Sequence, residues 1–209
     1  MSSIKHAGHR RRLALAGALT ASALLLAACG DGDGHDSTAG AFNDADVAFA
    51  QGMIPHHQQA VEMSTLAGGR ASSTEIRTLA DEIEKAQDPE IATMRSWLKA
   101  WGEPESADGS MPGMDHGSGD SGHSDGGGGS DGADGMMSGQ DMAELTAAKG
   151  ADFDKKFAEL MIEHHNGAIT MARDERKNGE SARAKKLAAE VIKAQTAEVE
   201  QLRTLIDRL

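Results

Sequence analysis

The sequence predicts an all-α protein, a four-helix bundle made of two duplicated helical hairpins. Three observations predict it. Residues 53–63 read MIPHHQQAVEM, and 108 residues further on, residues 161–171 read MIEHHNGAITM. The same ungapped offset carries Phe49 to Phe157, Leu79 to Leu187, Lys85 to Lys193, Gln87 to Gln195, Glu90 to Glu198 and Arg95 to Arg203. Tyrosine is absent and aromatics are few, which leaves Ala, Leu, Ile, Val and Met to build a core, a composition that suits helices. Finally, apolar residues recur at helical spacing between recognisable caps. Strands are not expected.

Residues 1–28 read as an export signal. Lys5, Arg10, Arg11 and Arg12 form a basic start, and Leu13 to Ala28 is an apolar run too short to favour a spanning helix. The run closes on Leu26-Ala27-Ala28-Cys29, which resembles the lipobox of bacterial lipoproteins, with Cys29 as the lipidated residue. Sec and twin-arginine export both remain open. Cys29 is the one cysteine, so no disulfide within the chain can form and the fold must rest on its core or on metal. Loss of the leader removes four basic and no acidic residues, taking the formal charge from −12 to −16. That surface argues against nucleic acid as a partner and is compatible with gathering cations.

Residues 29–41 are a Gly/Asp/Ser tether, followed by hairpin repeat 1 over residues 42–101. Its first helix is expected from about Asp44 to Ala67, capped by Asn43 or Asp44 and stopped by Gly68-Gly69. Ser72 and Glu75 form a capping box that opens the second helix, which ends near Trp101-Gly102. Residues 102–138 are rich in Gly, Ser, Asp, Met and His, without apolar periodicity, and are expected to be disordered. Repeat 2 covers residues 139–209, with a short helix near Gln140–Ala148, a long one over about Asp152–Lys177 that stops at Asn178-Gly179, and a last one over about Ser181–Arg208. Pro55 is the single violation: it should free the carbonyl of Gln51 and kink its helix, while its counterpart Glu163 keeps the second copy regular.

At about 100° per residue, Phe49, Met53, His56, His57, Ala60 and Met63 fall within an arc of about 120°. Phe157, Met161, His164, His165, Ala168 and Met171 repeat it. Packing these two helices together gathers up to four imidazoles and four thioethers near the bundle axis. A single methionine at this spacing is ordinarily core, and a lone inward histidine is ordinarily hydrogen-bonded core. Four inward histidines weaken that reading, because an unpartnered buried imidazole costs a few kcal/mol. Imidazole with thioether suits copper, Cu(I) above all, whereas carboxylate-rich sites suit iron or manganese. In Met53-x-x-His56 and Met161-x-x-His164, sulfur stands where di-iron bundles carry a glutamate.

Glu90 and Glu198 fall inside the apolar stripes of their helices, the first among Leu79, Ile83, Ala86, Met94 and Trp97. Each needs a partner, either a histidine N–H, which would fix the tautomer of a liganding ring, or a nearby arginine or lysine. Gln87 and Gln195 lie one turn away and extend the same network. In the linker, Met111, Met114, His116 and His123 form a second set, read either as weak Cu(I) capture or as plain spacer; Met137 and Met142 also fit the start of the next helix.

The stretches Met53–Met63, Ala86-Gln87…Glu90-Ile91…Met94…Trp97-Leu98, Gly135-Met136-Met137-Ser138…Met142 and Met161–Met171 resemble the domain-of-unknown-function 305 family, over nearly all the chain after residue 42. The resemblance implies a ferritin-like helical bundle in bacterial exported proteins. Some members are linked to periplasmic copper binding and resistance. Leu202 and Leu205 stand where the family has Met and Trp, so no ligand role carries over to the last helix.

The reading is an extracytoplasmic lipoprotein, anchored to the outer face of the cytoplasmic membrane, that binds copper for buffering, delivery or resistance. His56, His57, His164 and His165 are the candidate ligands, with Met53, Met63, Met161 and Met171. No nucleophile with a base, phosphate loop or zinc-type spacing appears, so no catalytic residue is assigned and an enzyme is not expected. Two alternatives use the same residues. One is a redox-active metal bundle, an oxidase or oxidant scavenger with Glu90 and Glu198 as ligands. The other is a metal-free envelope interaction protein.

Overall fold

The computed structural model describes residues 40–106 and 135–209. Cys29 and the linker residues Met111, Met114, His116 and His123 lie outside the described residues. Five helices follow in order: α1 (Asp44–Arg70), α2 (Thr74–Trp101), α3 (Gly139–Ala147), α4 (Ala151–Asn178) and α5 (Ala182–Ile206). Among the described residues there is no strand, only an isolated bridge between Ala71 and Gly150. No helix among them is long and apolar enough to cross a membrane.

The four long helices share two apolar layers. One holds Phe49, Ala50 and Met53 of α1, Ile91, Met94 and Trp97 of α2, Ala168 and Ala172 of α4, and Leu187 and Val191 of α5. The other holds Ala60 and Met63 of α1, Ile76 and Leu79 of α2, Phe157 and Met161 of α4, and Leu202 and Leu205 of α5. The first half of α1 therefore packs on the second half of α4, and the two helices cross antiparallel. Ala86, expected on the apolar stripe of α2, is exposed, and Gln87 is buried in its stead.

Helix boundaries shift for identifiable reasons. Asn43 caps α1 in a full capping box with Asp46, as the local sequence requires. The helix then continues through Gly68 and Gly69 to Arg70, where Ala71 turns extended and donates to the Ala67 carbonyl. Glycine weakens a helix by about 1 kcal/mol but does not end one, and here the chain is held beyond it, Gly150 donating to the Arg70 carbonyl at 2.8 Å. The cap of α2 is Ser73, which accepts from Ile76 N–H at 3.2 Å, because Ser72 is already engaged by Asp154. α1 passes through Pro55 as one helix, and α2 contains a second internal proline, Pro89, so Pro55 is not the sole violation. Both prolines lie on exposed faces, where a freed carbonyl can meet water.

Two buried aspartates, related by the same offset, tie the hairpins together. Asp154 of α4 accepts from the backbone N–H of Ser72 at 3.1 Å and of Ser73 at 2.8 Å, and from the Ser72 hydroxyl. Asp46 of α1 accepts from the N–H groups of Glu180 at 3.0 Å, Ser181 at 2.9 Å and Asn43 at 2.7 Å. Each hairpin thus satisfies the orphan donors at the start of the other's second helix. Stranding buried donors costs about 1–3 kcal/mol per group. Asp154→Ala is therefore expected to lower stability by about 3 kcal/mol in urea unfolding, and a loss under about 0.5 kcal/mol would refute this bracing role.

Candidate metal centre

His56 and His57 on α1 and His164 and His165 on α4 are all buried, with at most 1% exposure. They meet where the two helices cross. The rings of His56 and His164 stand 3.7 Å apart between centroids, tilted by 41°. That contact lies between the two apolar layers and marks the pseudo-two-fold axis of the repeat.

The outer histidine of each pair is held from the neighbouring helix. His57 Nε2 lies 2.7 Å from Glu90 Oε2, and His165 Nε2 lies 2.7 Å from Glu198 Oε2. Of the two partners open to Glu90, it meets the histidine; Arg95 pairs instead with Glu105 at 3.0 Å. An ionised carboxylate only accepts, so a neutral ring here carries its proton on Nε2 and keeps a lone pair on Nδ1. Both Nδ1 atoms are buried without a hydrogen-bond partner. Neither ring nitrogen of His164 makes a hydrogen bond of normal geometry, although the backbone of His56 comes close to the ring. Burial holds the His164 pKa well below the usual 6.5, and the neighbouring His56, His165 and His57 push it the same way.

Sulfur flanks these rings on both sides. Met53, Met63 and Met161 are fully buried, Met53 in the layer before the histidine contact and Met63 and Met161 in the layer after it. Met171 is only partly buried, and its Sδ lies 3.6 Å from where a Cβ on Gly52 would stand. Among the described residues no three His, Cys, Asp or Glu side chains converge on one point. A cation at this crossing would therefore take thioether with imidazole. Gln87 and Gln195 are buried beside the glutamates, each with an unpartnered carbonyl oxygen.

Three features of the site were not singled out from sequence. Gln59, one turn beyond His56, clamps Met137: Met137 N–H donates to Gln59 Oε1 at 2.7 Å, and Gln59 Nε2 donates to the Met137 carbonyl at 3.0 Å. This pins the strand of chain before α3 over the Met63/Met161 layer, where Met137 is buried. Gly135 in that segment has φ +74°, and a Cβ there would fall 2.8 Å from the Glu163 carbonyl, so only glycine fits. On the other side a cavity of about 260 Å³ opens between α1 and α4, lined in part by Phe49, Gly52, Met171, Asp174 and Glu175. Glu175 is 2% exposed, and its carboxyl oxygens make no hydrogen bond of normal geometry. Gly179 makes room for it, since a Cβ there would lie 2.2 Å from Oε1. The offset alone pairs Asp46 with Asp154 and was the available signal for the braces; Glu175 has Ala67 as its counterpart and gave none.

Burial, and then the neighbouring Asp46, pushes the Glu175 pKa up to about 8. For Asp46, burial works upward, but hydrogen bonds led by the Glu180 and Asn43 backbone outweigh it and leave the group below its usual value.

The fold and site define a helical-bundle protein with a buried histidine crossing set in thioether. A family model described as a domain of unknown function (DUF305) matches residues 46–206, and the chain belongs to that family. A structure of a putative secreted DUF305 protein from Streptomyces coelicolor is similar at 30% identity, with TM-score 0.65, 78% of this chain and 91% of that one covered. CopM in a Cu(II)-bound form is similar at 29% identity and TM-score 0.61, over 78% of this chain and 96% of that one. CopM in a Cu(I)-bound form is similar at 28% identity and TM-score 0.59, over the same shares. No curated protein matches the chain.

Glu175 sets the pH dependence of stability. Its folded value of about 8 exceeds the ordinary 4.5, so its contribution is present below 4.5 and lost as pH rises towards 8. The depressed His164 acts oppositely, but only below its unfolded value of 6.5. Between pH 6.5 and 8 the wild-type protein should therefore lose stability, and Glu175→Gln should stay flat. Parallel melting curves for the two across that window would refute the assignment.

Proposed function

We propose that this protein is an extracytoplasmic copper-handling lipoprotein, anchored through Cys29, that takes up Cu(I) at the α1–α4 crossing for buffering, delivery or resistance. His56, His57, His164 and His165 supply the nitrogen ligands, no more than two to any one ion, and Met53, Met63 and Met161 the sulfur at the crossing, with the partly buried Met171 at its edge. Copper is cargo here. The observation that carries the reading is the buried Nδ1 atoms of His57 and His165, with the ring of His164, which make no hydrogen bond of normal geometry and lie between two apolar layers that hold Met53, Met63 and Met161. Such groups are costly in an empty core, and a soft cation accepts their lone pairs without demanding carboxylate. The similarity to CopM, which has been seen with Cu(I), Cu(II) and silver, supports the same metal class. The similarity to a DUF305 protein described as putative secreted supports the location.

Glu90 and Glu198 hold His57 and His165 rather than serving as ligands, orienting each ring so that Nδ1 faces inward. This arrangement favours binding over turnover. The linker set of Met111, Met114, His116 and His123 would collect copper weakly and pass it on.

The test is a Cu(I) titration against a competing chromogenic chelator, in a Cys29→Ser background so that the single thiol does not compete. Wild type should bind tightly. His164→Leu should lose affinity at least tenfold while the metal-free protein melts no lower, because an unsatisfied ring has been replaced by hydrocarbon. Failure of the wild type to compete would sink the reading. Glu90→Gln should weaken binding by about 10–100-fold, the range seen when a partner orienting a metal-bound histidine is lost; unchanged affinity would remove Glu90 from the site.

A further inference from the structure

We infer that the cation reaches the histidine crossing from one end only, through the cavity at Gly52, Met171, Asp174 and Glu175, with the Met171 thioether as its first soft contact. The inference rests on the copper reading above.

The repeat allows the two ends of the crossing to be compared position by position. At the cavity end α1 presents Ala45, Ala48 and Gly52; the offset of 108 replaces them in α4 with Phe153, Lys156 and Leu160. In the other direction, Asp174 and Glu175 of α4 correspond to Leu66 and Ala67 of α1. Bulk and hydrocarbon at one end thus become small side chains and carboxyl groups at the other. The consequence is visible in burial. Phe153 and Met63 are fully buried at the filled end, whereas Met171, the counterpart of Met63, is partly exposed beside the cavity. The other end has a hollow of its own, lined by Thr65, Leu66, Gly69, Arg70 and Lys149, but it carries two cationic side chains and no sulfur, and the layer there is covered by the Gln59–Met137 clamp and by the fully buried Leu145 of α3.

The cavity is more than a gap between helices. Glu175 lines it with a carboxyl group that is 2% exposed and lies beside Asp46, so the inner wall of the cavity is polar where its counterpart at the other end, Ala67, is hydrocarbon. Asp174 adds a second carboxyl at the rim. From Met171 the apolar layer leads to Met53, which lies on the same face of α1 as Phe49 in the cavity wall and His56 one turn beyond. Met171 and His164 are seven residues apart on α4, a rise of about 10 Å. Met171 and then Met53, both in this layer, thus offer sulfur between solvent and the imidazoles. Soft ligands of this kind exchange Cu(I) without stripping it of all partners at once.

The test separates rate from affinity. The full chain, in the Cys29→Ser background, is mixed with Cu(I) held by a chromogenic chelator at concentrations where transfer to the protein is rate-limiting, and the loss of chelator absorbance is followed. Gly52→Leu copies the filled end into the cavity, and Ala48→Leu narrows the mouth from an exposed position that leaves the core untouched. Both should slow uptake at least tenfold and slow release by a similar factor, leaving equilibrium affinity within about twofold. Melting curves report whether each variant folds, and Ala48→Leu decides the matter if Gly52→Leu does not. Uptake at the wild-type rate in a folded variant overturns single-ended access while the copper reading stands. A wild-type chain that takes up no copper overturns both. Loss of affinity without a change in rate also overturns the inference, because it would place the cavity in the binding site rather than on the way to it.

Discussion

Two imidazole rings held 3.7 Å apart in a place water does not reach set the terms for the rest of this bundle. A buried imidazole forfeits hydrogen bonds to solvent, and the protein returns them unevenly. His57 and His165 recover one each from Glu90 and Glu198, whose carboxylates keep some exposure, 23% and 18%, and so avoid full desolvation themselves. His164 recovers none of normal geometry. The deficit is tolerated because each side of the contact is a closely packed apolar layer, anchored by Met53, Met94 and Trp97 on one side and by Phe157, Met161 and Leu202 on the other.

Such a contact requires register. Helices that pack through Ala, Leu and Met surfaces can slide by a turn at modest cost, and a slide would separate the rings. The reciprocal braces oppose it. Asp46 holds the start of α5 and Asp154 the start of α2, so movement of one hairpin along the other would uncap two helices at once. The histidine contact sits between the braces, and the duplicated arrangement makes each hairpin the template for the other.

Much of this is written in the sequence at short range. The helices follow from caps and periodicity because those signals act within a turn or two, and the side of α1 and α4 that carries the histidines follows from the same spacing. Departures occur where a distant residue intervenes. Ser72 satisfies the local pattern of a cap, but Asp154, 82 residues away, takes its N–H and hydroxyl, and the cap moves to Ser73. Gly68-Gly69 resembles a stop, yet the chain continues because its far side is already bonded to Gly150. The stripe drawn through Ala86 is one residue out, because a straight helical wheel cannot tell which of two neighbours turns inward. Glu90 was legible as a buried acid in need of a partner; that His57 would be the partner depended on how α2 lies against α1. The pairing of Gln59 with Met137, 78 residues apart, had no local signal.

The duplication also shows what the protein keeps and what it has let drift. Pairs that fix the architecture are matched: Asp46 with Asp154, the two histidine–glutamate bonds, Gln87 with Gln195. The mismatches set the two ends of the crossing apart: Gly52 and Glu175 at the cavity end correspond to Leu160 and Ala67 at the other. A bundle closed equally at both ends would shelter its imidazoles well but exchange nothing with solvent short of partial unfolding, since packed interiors deform in steps rather than continuously. Loosening both ends would expose two hydrocarbon layers. Confining the small and acidic residues to one end leaves one layer covered by Met137 and α3, beside a hollow that carries no sulfur, and gives the other a polar, sulfur-bearing opening. The same asymmetry places the least buried of the four thioethers where a soft ion would arrive first.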